Sequence, residues 1–256
     1  MRSIRQLLLT LAILLPTTGP LKAATVNVAV ASNFNTTLQR LAVAFRRESG
    51  HELRISSAST GKLYAQIVQG APYDIFLAAD ADRPQRLALL GLAVANSRFT
   101  YAQGQLLLWS PRSEFTDEGS EVLAHGGFRH LAIANPKTAP YGVAAKQTLE
   151  SLGLWAILKP RLVRGENIGQ TFQYVATGAA DLGLVSHSQA KTLDNEDGYR
   201  WPIPAYLHSP IRQQAILLNR GADKPGAIAF LTFLKTDKAA ELIVESGYLT
   251  GDDRSR

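Results

Sequence analysis

The amino-acid sequence predicts an α/β fold whose strands run mainly parallel. Three observations point to it: short apolar runs alternate with segments of helical spacing, small polar residues stand at the junctions, and glycine follows the helical segments. Strands and helices that alternate in this way are typical of a parallel sheet covered by crossover helices. About 230 residues beyond the N-terminal leader are enough for a large core in one or two lobes.

The first part of the chain contains three pairs of strand and helix. Gly50 follows the first helical segment as a C-cap, and Gly-Ala-Pro at residues 70–72 ends the second. The elements predicted here are strand 26–31, helix 36–49, strand 53–57, helix 61–69, strand 74–79 and helix 83–90.

The second part begins with an apolar run at residues 105–110, which is predicted to be a strand leaving the first set of elements. Residues 211–218 are predicted to form the strand that returns, and residues 251–256 a frayed terminus. No repeat and no change of composition marks a boundary between the two parts. The elements predicted between the two crossing strands are strand 131–134, helix 142–152, helix 169–177 and strand 181–185.

Two junctions between a strand and a helix carry hydroxyl and amide side chains. Ser32 and Asn33 follow the first strand, and Ser-Ser-Ala-Ser-Thr at residues 56–60 precedes Gly61 and the second helix. The first N–H groups of a helix have no partner within it and lie at the positive end of the macrodipole, so hydroxyls beside them complete an anion site. Two such junctions facing one cleft would hold a dianion, whereas ordinary N-caps would use the same residues.

Four blocks of residues, in their order and spacing, resemble the periplasmic molybdate-binding proteins, the substrate-binding subunits of molybdate and tungstate ABC importers. The likeness covers nearly all of the chain after the leader. We expect the blocks to fall at the carboxyl ends of strands, where ligands of open α/β sheets bind. The blocks are Ala31-Ser32-Asn33; Ser-Thr-Gly-Lys-Leu at 59–63 with Gly-Ala-Pro-Tyr-Asp-Ile-Phe at 70–76; Asn135-Pro136 with Ala139-Pro140-Tyr141-Gly142; and Glu166-Asn167-Ile168-Gly169-Gln170.

The resemblance implies a set of oxyanion-binding residues drawn from two lobes. It places Ser32, Asn33 and Thr60 in one lobe, and Tyr141 and Ile168 in the other, with Ile168 acting through its backbone. Asn135-Pro136 and Pro140-Tyr141-Gly142 fit a loop that presents the tyrosine hydroxyl just before a helix. Some family members add a tyrosine in the segment corresponding to residues 185–188, where this sequence has none. That departure indicates the branch that uses Tyr141, and it leaves the role of Ser186 open.

The resemblance also implies the architecture: a two-lobed periplasmic binding protein of type II with a ligand cleft and a hinge. Lobe 1 would be discontinuous, residues 24–104 plus 209–256, and lobe 2 would be residues 105–208. The hinge would lie near residues 104–105 and 209–212. The implied function is high-affinity binding of molybdate, and of tungstate, with delivery to the membrane permease of an ABC importer.

The N-terminus predicts export. Arg2 and Arg5 precede an apolar stretch at residues 7–15, and small residues follow at 23–24, so residues 1–23 are predicted to be a signal peptide cleaved after Ala23 or Ala24. With no cysteine in the chain, a lipid anchor, disulfides and thiolate metal sites are excluded. We therefore expect a periplasmic protein, and a monomer. Without Arg2, Arg5 and Lys22, 24 basic residues remain against 21 acidic ones, a net charge of +3.

Several other function classes fit the sequence less well. Ser56 and Leu63 stand where a P-loop needs glycine and a hydroxyl, the five histidines lack metal-ligand spacing, and no Gly-x-Ser-x-Gly elbow is present. Scattered basic residues give no reason to expect nucleic acid. We therefore expect no enzyme, no cofactor and no cation ligand, the oxyanion being the ligand. Two alternatives stay open: a binding protein for sulfate, phosphate or a small organic acid, and an exported hydrolase of phosphate or sulfate esters.

Overall fold

Two five-stranded sheets organise the protein. The structure, a computed structural model, describes residues 24–116, 118–193 and 198–250. The predicted signal peptide, residues 1–23, and the predicted frayed terminus, residues 251–256, lie outside these ranges. Within them, no helix is both long enough and apolar enough to cross a membrane.

The first sheet has the strand order β2-β1-β3-β10-β4. β1 pairs in parallel with β2 and β3, while β10 pairs antiparallel with β3 and β4. The strands are β1 (Thr25–Ala31), β2 (Glu52–Ala58), β3 (Ile75–Ala78), β4 (Phe99–Gly104) and β10 (Ile211–Leu217).

The second sheet has the strand order β7-β6-β8-β5-β9. β6 pairs in parallel with β7 and β8, and β5 pairs antiparallel with β8 and β9. The strands are β5 (Leu106–Ser110), β6 (Leu131–Ala134), β7 (Leu162–Gly165), β8 (Leu182–Ser186) and β9 (Tyr199–Pro202).

Helices cover both sheets. Gly50 ends the first helix in the left-handed conformation, with φ of 72°, and donates its N–H to the Arg46 carbonyl, as predicted for a C-cap. The helices are α1 (Asn35–Ser49), α2 (Thr60–Val68), α3 (Asp82–Leu89), α4 (Glu121–His125), α5 (Pro140–Ser151), α6 (Trp155–Leu158), α7 (Ile168–Ala176), α8 (His187–Ala190), α9 (Pro225–Phe233) and α10 (Asp237–Glu245).

The α/β class and the two-lobed plan are confirmed, but the expectation of mainly parallel strands is wrong for the strands that cross between the sheets. β5 follows β4 after the single residue Gln105, and β10 returns from the second sheet to the first. Each crossing strand enters its new sheet against the direction of its neighbours, so both sheets are mixed. The elements not predicted were β4, β7, β9, α4, α6 and α8–α10.

Each sheet has apolar residues packed on both faces. In the first sheet, Val28 and Val30 face the layer of α1 and α9, while Ala29 packs with Leu63 and Phe76 on the other side. In the second sheet, Leu131 and Ile133 belong to the core beneath α5, and Ala132 packs towards α7. Buried strands with helices on both faces leave only their ends free to contact a ligand.

A buried carboxylate ties the first sheet to α9. Asp74 is fully buried; it accepts the Asn27 N–H at 2.8 Å and the Lys224 ammonium at 2.7 Å. We expect Asp74→Ala to lower the free energy of unfolding by about 2–3 kcal/mol, because a buried donor and a cation lose their acceptor. Denaturant unfolding measures this. The control Glu52→Ala removes an exposed ion pair with Arg46 and should cost less than about 1 kcal/mol; equal costs would contradict this role of Asp74.

Candidate functional site

The helix N-termini of both lobes meet at a small cavity between the sheets. A 3₁₀ turn, Ser32–Phe34, enters it from the end of β1, and α2, α5 and α7 all begin beside it. The cavity is small, with a volume of about 10 Å³. The residues lining it are Ala31, Ser32, Asn33, Ser59, Thr60, Ala79, Ala139, Pro140, Tyr141 and Ile168.

This convergence follows from the topology. β1, β2 and β3 run in the same direction, so the turns after their carboxyl ends lie at one edge of the first sheet. The turns after β6 and β7 lie likewise at one edge of the second sheet. All five predicted site residues, Ser32, Asn33, Thr60, Tyr141 and Ile168, line the one cavity.

The two hydroxyls from the first lobe are held by backbone donors. The Thr60 Oγ1 accepts the Ala79 N–H at 3.2 Å, and the Ser32 Oγ accepts the Gly169 N–H at 3.2 Å. A hydroxyl has one proton to donate, and neither contact uses it. Thr60 and Ser32 therefore each keep an O–H that can donate to an acceptor in the cavity.

The Asn33 side-chain amide donates its hydrogen bonds to groups outside the cavity. Its Nδ2 donates to the Gln213 Oε1 at 2.9 Å and to the Tyr248 hydroxyl at 3.1 Å. The Asn33 Oδ1 is buried and has no hydrogen-bond partner among the described residues. Asn33 is the second residue of the 3₁₀ turn, so its backbone N–H has no acceptor within that turn. This N–H is the donor that Asn33 can offer to the cavity.

Tyr141 carries two groups that can donate a hydrogen bond, its hydroxyl and its backbone N–H. It is the second residue of α5 rather than part of a preceding loop, and its hydroxyl is in contact with Ser186 at 3.1 Å and with the Gln213 Nε2 at 3.4 Å. The hydroxyl thus lies in a cluster of buried side chains behind the cavity. The N–H of Tyr141 is in the first turn of α5, where it has no acceptor within the helix.

Ile168 lines the cavity, and its N–H is in the first turn of a helix. It is the first residue of α7, and Asn167 caps the helix by accepting the Gln170 N–H at 3.0 Å. The Asn167 cap occupies a donor further along the turn, so the Ile168 N–H is left for another acceptor. Since α2, α5 and α7 all begin at the cavity, the positive ends of three macrodipoles act there together.

The lining residues carry no formal charge. Asp80, which follows the lining residue Ala79, pairs with Arg83 and also accepts the Arg83 N–H at the start of α3. Burial raises the pKa of the Asp80 carboxyl, and the Arg83 guanidinium opposes this shift. Burial also holds the pKa of the Tyr141 hydroxyl well above its usual range, so this tyrosine is neutral. The cavity is therefore lined by neutral groups.

Direct hydrogen bonds join the lobes on either side of the cavity. The Gly169 N–H reaches Ser32, and the Gly61 N–H donates to the Thr138 carbonyl at 2.8 Å. A Cβ built on Gly61 would lie 3.0 Å from that carbonyl oxygen, so the close approach of the lobes depends on glycine here. The structure is thus the closed arrangement of the two lobes.

Sequence reasoning missed several residues that contact the site residues. Ala79 supplies the N–H that Thr60 accepts, while Gln213 and Tyr248 hold Asn33 from strand β10 and from the end of the chain. Ala79 could have been found because it follows β3 at the same sheet edge. No local signal marks Gln213 or Tyr248, since both contacts span more than 150 residues of chain.

Two α/β lobes that close over a neutral cavity, with helix N-termini and hydroxyls turned inward, define a two-lobed solute-binding protein. Within residues 24–116, 118–193 and 198–250, no three acidic or histidine side chains stand together as a metal site would require. Residues 26–249 match the family of bacterial extracellular solute-binding proteins, and the chain belongs to that family.

The relatives found by sequence and by structure agree with this assignment. The molybdate-binding protein ModA of Azotobacter vinelandii is 47% identical over 228 residues, which are 89% of this chain and 90% of that protein. ModA of Rhodobacter capsulatus is 42% identical, with 90% of each chain covered. The solved structure of the A. vinelandii periplasmic molybdate-binding protein superimposes with a TM-score of 0.83 at 43% identity, covering 88% of this chain and 98% of that one.

Proposed function

We propose that this protein binds molybdate, and also tungstate, with high affinity and delivers it to an ABC importer. The observation that carries the proposal is the closed, uncharged cavity in which hydroxyls and helix N-termini from both lobes converge. The two relatives described above, which match about nine-tenths of the chain, are named molybdate-binding proteins, and this supports the same ligand.

Five residues would hold the oxyanion through neutral hydrogen bonds. Ser32 and Thr60 donate their hydroxyl protons, and Asn33, Tyr141 and Ile168 donate backbone N–H groups. This assignment keeps the predicted residues. Asn33 would donate its backbone N–H because its Nδ2 already donates to Gln213 and Tyr248. For Tyr141 it takes the backbone N–H in place of the predicted hydroxyl, which accepts from Ser186 and Gln213. Neutral donors fixed by the fold stabilise a dianion without a counter-charge, as helix N-termini do at other anion sites.

The size of the cavity would select the ligand. Molybdate and tungstate are tetrahedral dianions with longer bonds to oxygen than sulfate has. A smaller anion in a cavity fixed for the larger ones would leave some donors without an acceptor, and an unpaired buried donor is costly.

The lobe boundaries, the hinge and the cellular context belong to the same proposal. Lobe 1 comprises residues 24–104 plus 209–256 and lobe 2 residues 105–208, which is supported by β4 ending at Gly104 and β10 beginning at Ile211. The mature protein works in the periplasm as a monomer after cleavage of its signal peptide. It presents its closed lobes to a membrane permease, uses no cofactor and no nucleic acid, and catalyses no reaction.

Isothermal titration of ligand-free protein with molybdate, tungstate, sulfate and phosphate tests the proposal. We expect one-to-one binding of molybdate and tungstate, and no heat with the other two. A preference for sulfate, phosphate or a small organic acid would contradict the ligand and favour the first alternative. Turnover of a generic aryl phosphate or sulfate ester, absent from a Ser32→Ala variant, would favour the hydrolase instead.

Binding should depend little on pH across the neutral range. No carboxyl, imidazole or ammonium lines the cavity, and burial holds the pKa of Tyr141 well above its usual range. A raised tyrosine pKa keeps the hydroxyl neutral at every pH below it, so no lining group titrates between about pH 6 and pH 9. Titrations at both ends of this range should give dissociation constants within about twofold of each other; a tenfold difference would mean that a titrating group contacts the ligand.

A further inference from the structure

Six side chains form a closed ring of hydrogen bonds behind the cavity. The ring runs from Asn33 to Gln213 (2.9 Å), Tyr141 (3.4 Å), Ser186 (3.1 Å), Ser188 (2.7 Å) and Tyr248 (2.8 Å), and back to Asn33. Tyr248 closes it twice, since its hydroxyl accepts the Asn33 Nδ2 and donates to the Asn33 carbonyl at 2.7 Å.

The ring crosses between the lobes at two places. Gln213 on β10 meets Tyr141 on α5, and Tyr248 meets Ser188 on α8. Tyr248 belongs to the first lobe, where its aromatic side chain packs against Phe34. The two lobes are therefore connected by side-chain hydrogen bonds on this side of the cavity, in addition to the backbone bonds that flank it.

The ring lies against the first chain crossing. A Cβ built on Gly104, the last residue of β4, would overlap the Tyr141 hydroxyl and would lie 2.8 Å from the Gln213 Nε2. The chain passes from one lobe to the other immediately after Gly104. The packing here leaves no room for even a methyl group, so the position of the Tyr141 hydroxyl and the path of the crossing strand are fixed together.

All six members are buried, at 5% exposure or less, and all are neutral. Burial raises the pKa of Tyr248 to about 12, so its hydroxyl keeps its proton. In such a buried place, water cannot replace a lost hydrogen-bond partner. The ring is therefore cooperative, because each hydrogen bond fixes the geometry of the next one. Two members, Asn33 and Tyr141, also line the cavity, whereas Gln213, Ser188 and Tyr248 do not.

We infer that Tyr248, Gln213 and Ser188 are positioning residues for the oxyanion site. They hold Asn33 and Tyr141, and thus the backbone N–H groups of both, at the spacing that exists when the lobes are closed. This inference rests on the proposed function, because it assigns these side chains a role in holding the same ligand. A purely structural ring would instead contribute to folding and leave the binding of folded protein unchanged.

The consequence for kinetics separates these two roles. Closure follows the first encounter of an anion with the open lobes, so a ring that stabilises the closed state should slow release more than it speeds capture. Removing one ring hydroxyl should therefore raise the dissociation rate constant and leave the association rate constant nearly unchanged. Partial unfolding would reduce the active fraction of the protein without changing the dissociation rate of the molecules that stay folded.

The test compares Tyr248→Phe with Tyr73→Phe. Tyr73 is in the first lobe, and its hydroxyl contacts Gln66 away from the cavity, so this control removes a tyrosine hydroxyl that does not belong to the ring. We expect Tyr248→Phe to release radioactive molybdate about five- to tenfold faster on chase with unlabelled molybdate, as the loss of one net hydrogen bond implies. The control should release it at the parental rate.

Ser188→Ala removes the same inter-lobe hydrogen bond from the side of the other lobe. It is a second, independent variant in case Tyr248→Phe does not fold. We expect a similar acceleration, and little further effect when it is combined with Tyr248→Phe, because both changes open the same link. Parental release rates in both single variants, with both folded, would overturn the inference. So would an equal acceleration in Tyr73→Phe.

The titration of the parent with four oxyanions keeps this test distinct from that of the proposed function. A parent that binds sulfate or phosphate instead of molybdate would contradict the proposed ligand, and the ring would then be judged on release of that anion, labelled in the same way. A parent that binds none of the four would overturn both.

Discussion

Replacing Ser32 and Thr60 together by alanine is expected to weaken molybdate binding by about two to four orders of magnitude. Each hydroxyl accepts a backbone N–H and keeps one proton for the ligand. A hydrogen bond to a charged group contributes about 1.5–3 kcal/mol, so the loss of two such bonds to one ligand is about 3–6 kcal/mol as an upper range, since groups that share a partner need not add. Calorimetric titration measures the change.

A matched control for this double variant is Ser57→Ala. Ser57 is near the end of β2, close in sequence to Thr60, but it is exposed and does not line the cavity. Its replacement should leave the dissociation constant unchanged within about twofold. If the double variant binds as tightly as the parent while it remains folded, these hydroxyls do not hold the oxyanion, and the first lobe contributes through its backbone alone.

Gly142→Ala is expected to weaken both folding and binding. A Cβ at this position would lie 2.7 Å from the Ala134 carbonyl carbon and 2.8 Å from the Asn135 carbonyl carbon, which are backbone atoms at the end of β6. The start of α5 would have to move away from the strand, and Tyr141 would move with it. Overpacking against a backbone costs about 1–3 kcal/mol of the free energy of unfolding, and displacing the Tyr141 N–H should add a loss of affinity of about tenfold or more.

The control for Gly142→Ala is Gly127→Ala in the same lobe. A Cβ on Gly127 would meet nothing within 4 Å. Denaturant unfolding and titration of both variants should show a large effect for the first and a negligible one for the second. Equal stability of the two variants would mean that α5 tolerates displacement, and unchanged affinity in Gly142→Ala would contradict the role given to the N-terminus of this helix.

In the proposed site, neutral groups would hold a charged ligand inside a buried cavity. Backbone N–H groups and hydroxyls cannot be neutralised by a change of pH, and their positions are fixed by the helices and strands that carry them. A cationic side chain would attract any anion more strongly. It would therefore select less by the size and shape of the anion, and it would slow release of the ligand. Lobe closure supplies the remaining affinity, because neither lobe alone surrounds the ligand.

The local parts of the site could be predicted from the sequence. Ser32 and Thr60 follow strands that are recognisable by their apolar runs, and the polar residues after such strands must lie at the ligand-binding edge of the sheet. The boundaries of most of the predicted helices and strands differ by one or two residues from those observed; strand 131–134 agrees with β6. These features depend on spacing within a few residues, which a sequence displays directly.

The parts that depend on distant contacts could not be predicted. The antiparallel entry of β5 and β10 is a property of how the chain crosses between the lobes, and no residue in either strand encodes it locally. No residue near Tyr141 in the sequence indicates that Ser186 and Gln213 contact its hydroxyl. Side chains that are buried behind a site are chosen by the packing of the whole fold.

The most direct measurement for the central claim is a crystal structure of the protein grown with tungstate, with the metal located by its anomalous scattering. We expect one strong peak between the lobes, with its oxygens within hydrogen-bonding distance of the Ser32 and Thr60 hydroxyls and of the Tyr141 and Ile168 N–H groups. No lysine, arginine or histidine should contact it. A peak elsewhere, or one whose oxygens contact charged side chains, would contradict the neutral inter-lobe cavity as the binding site.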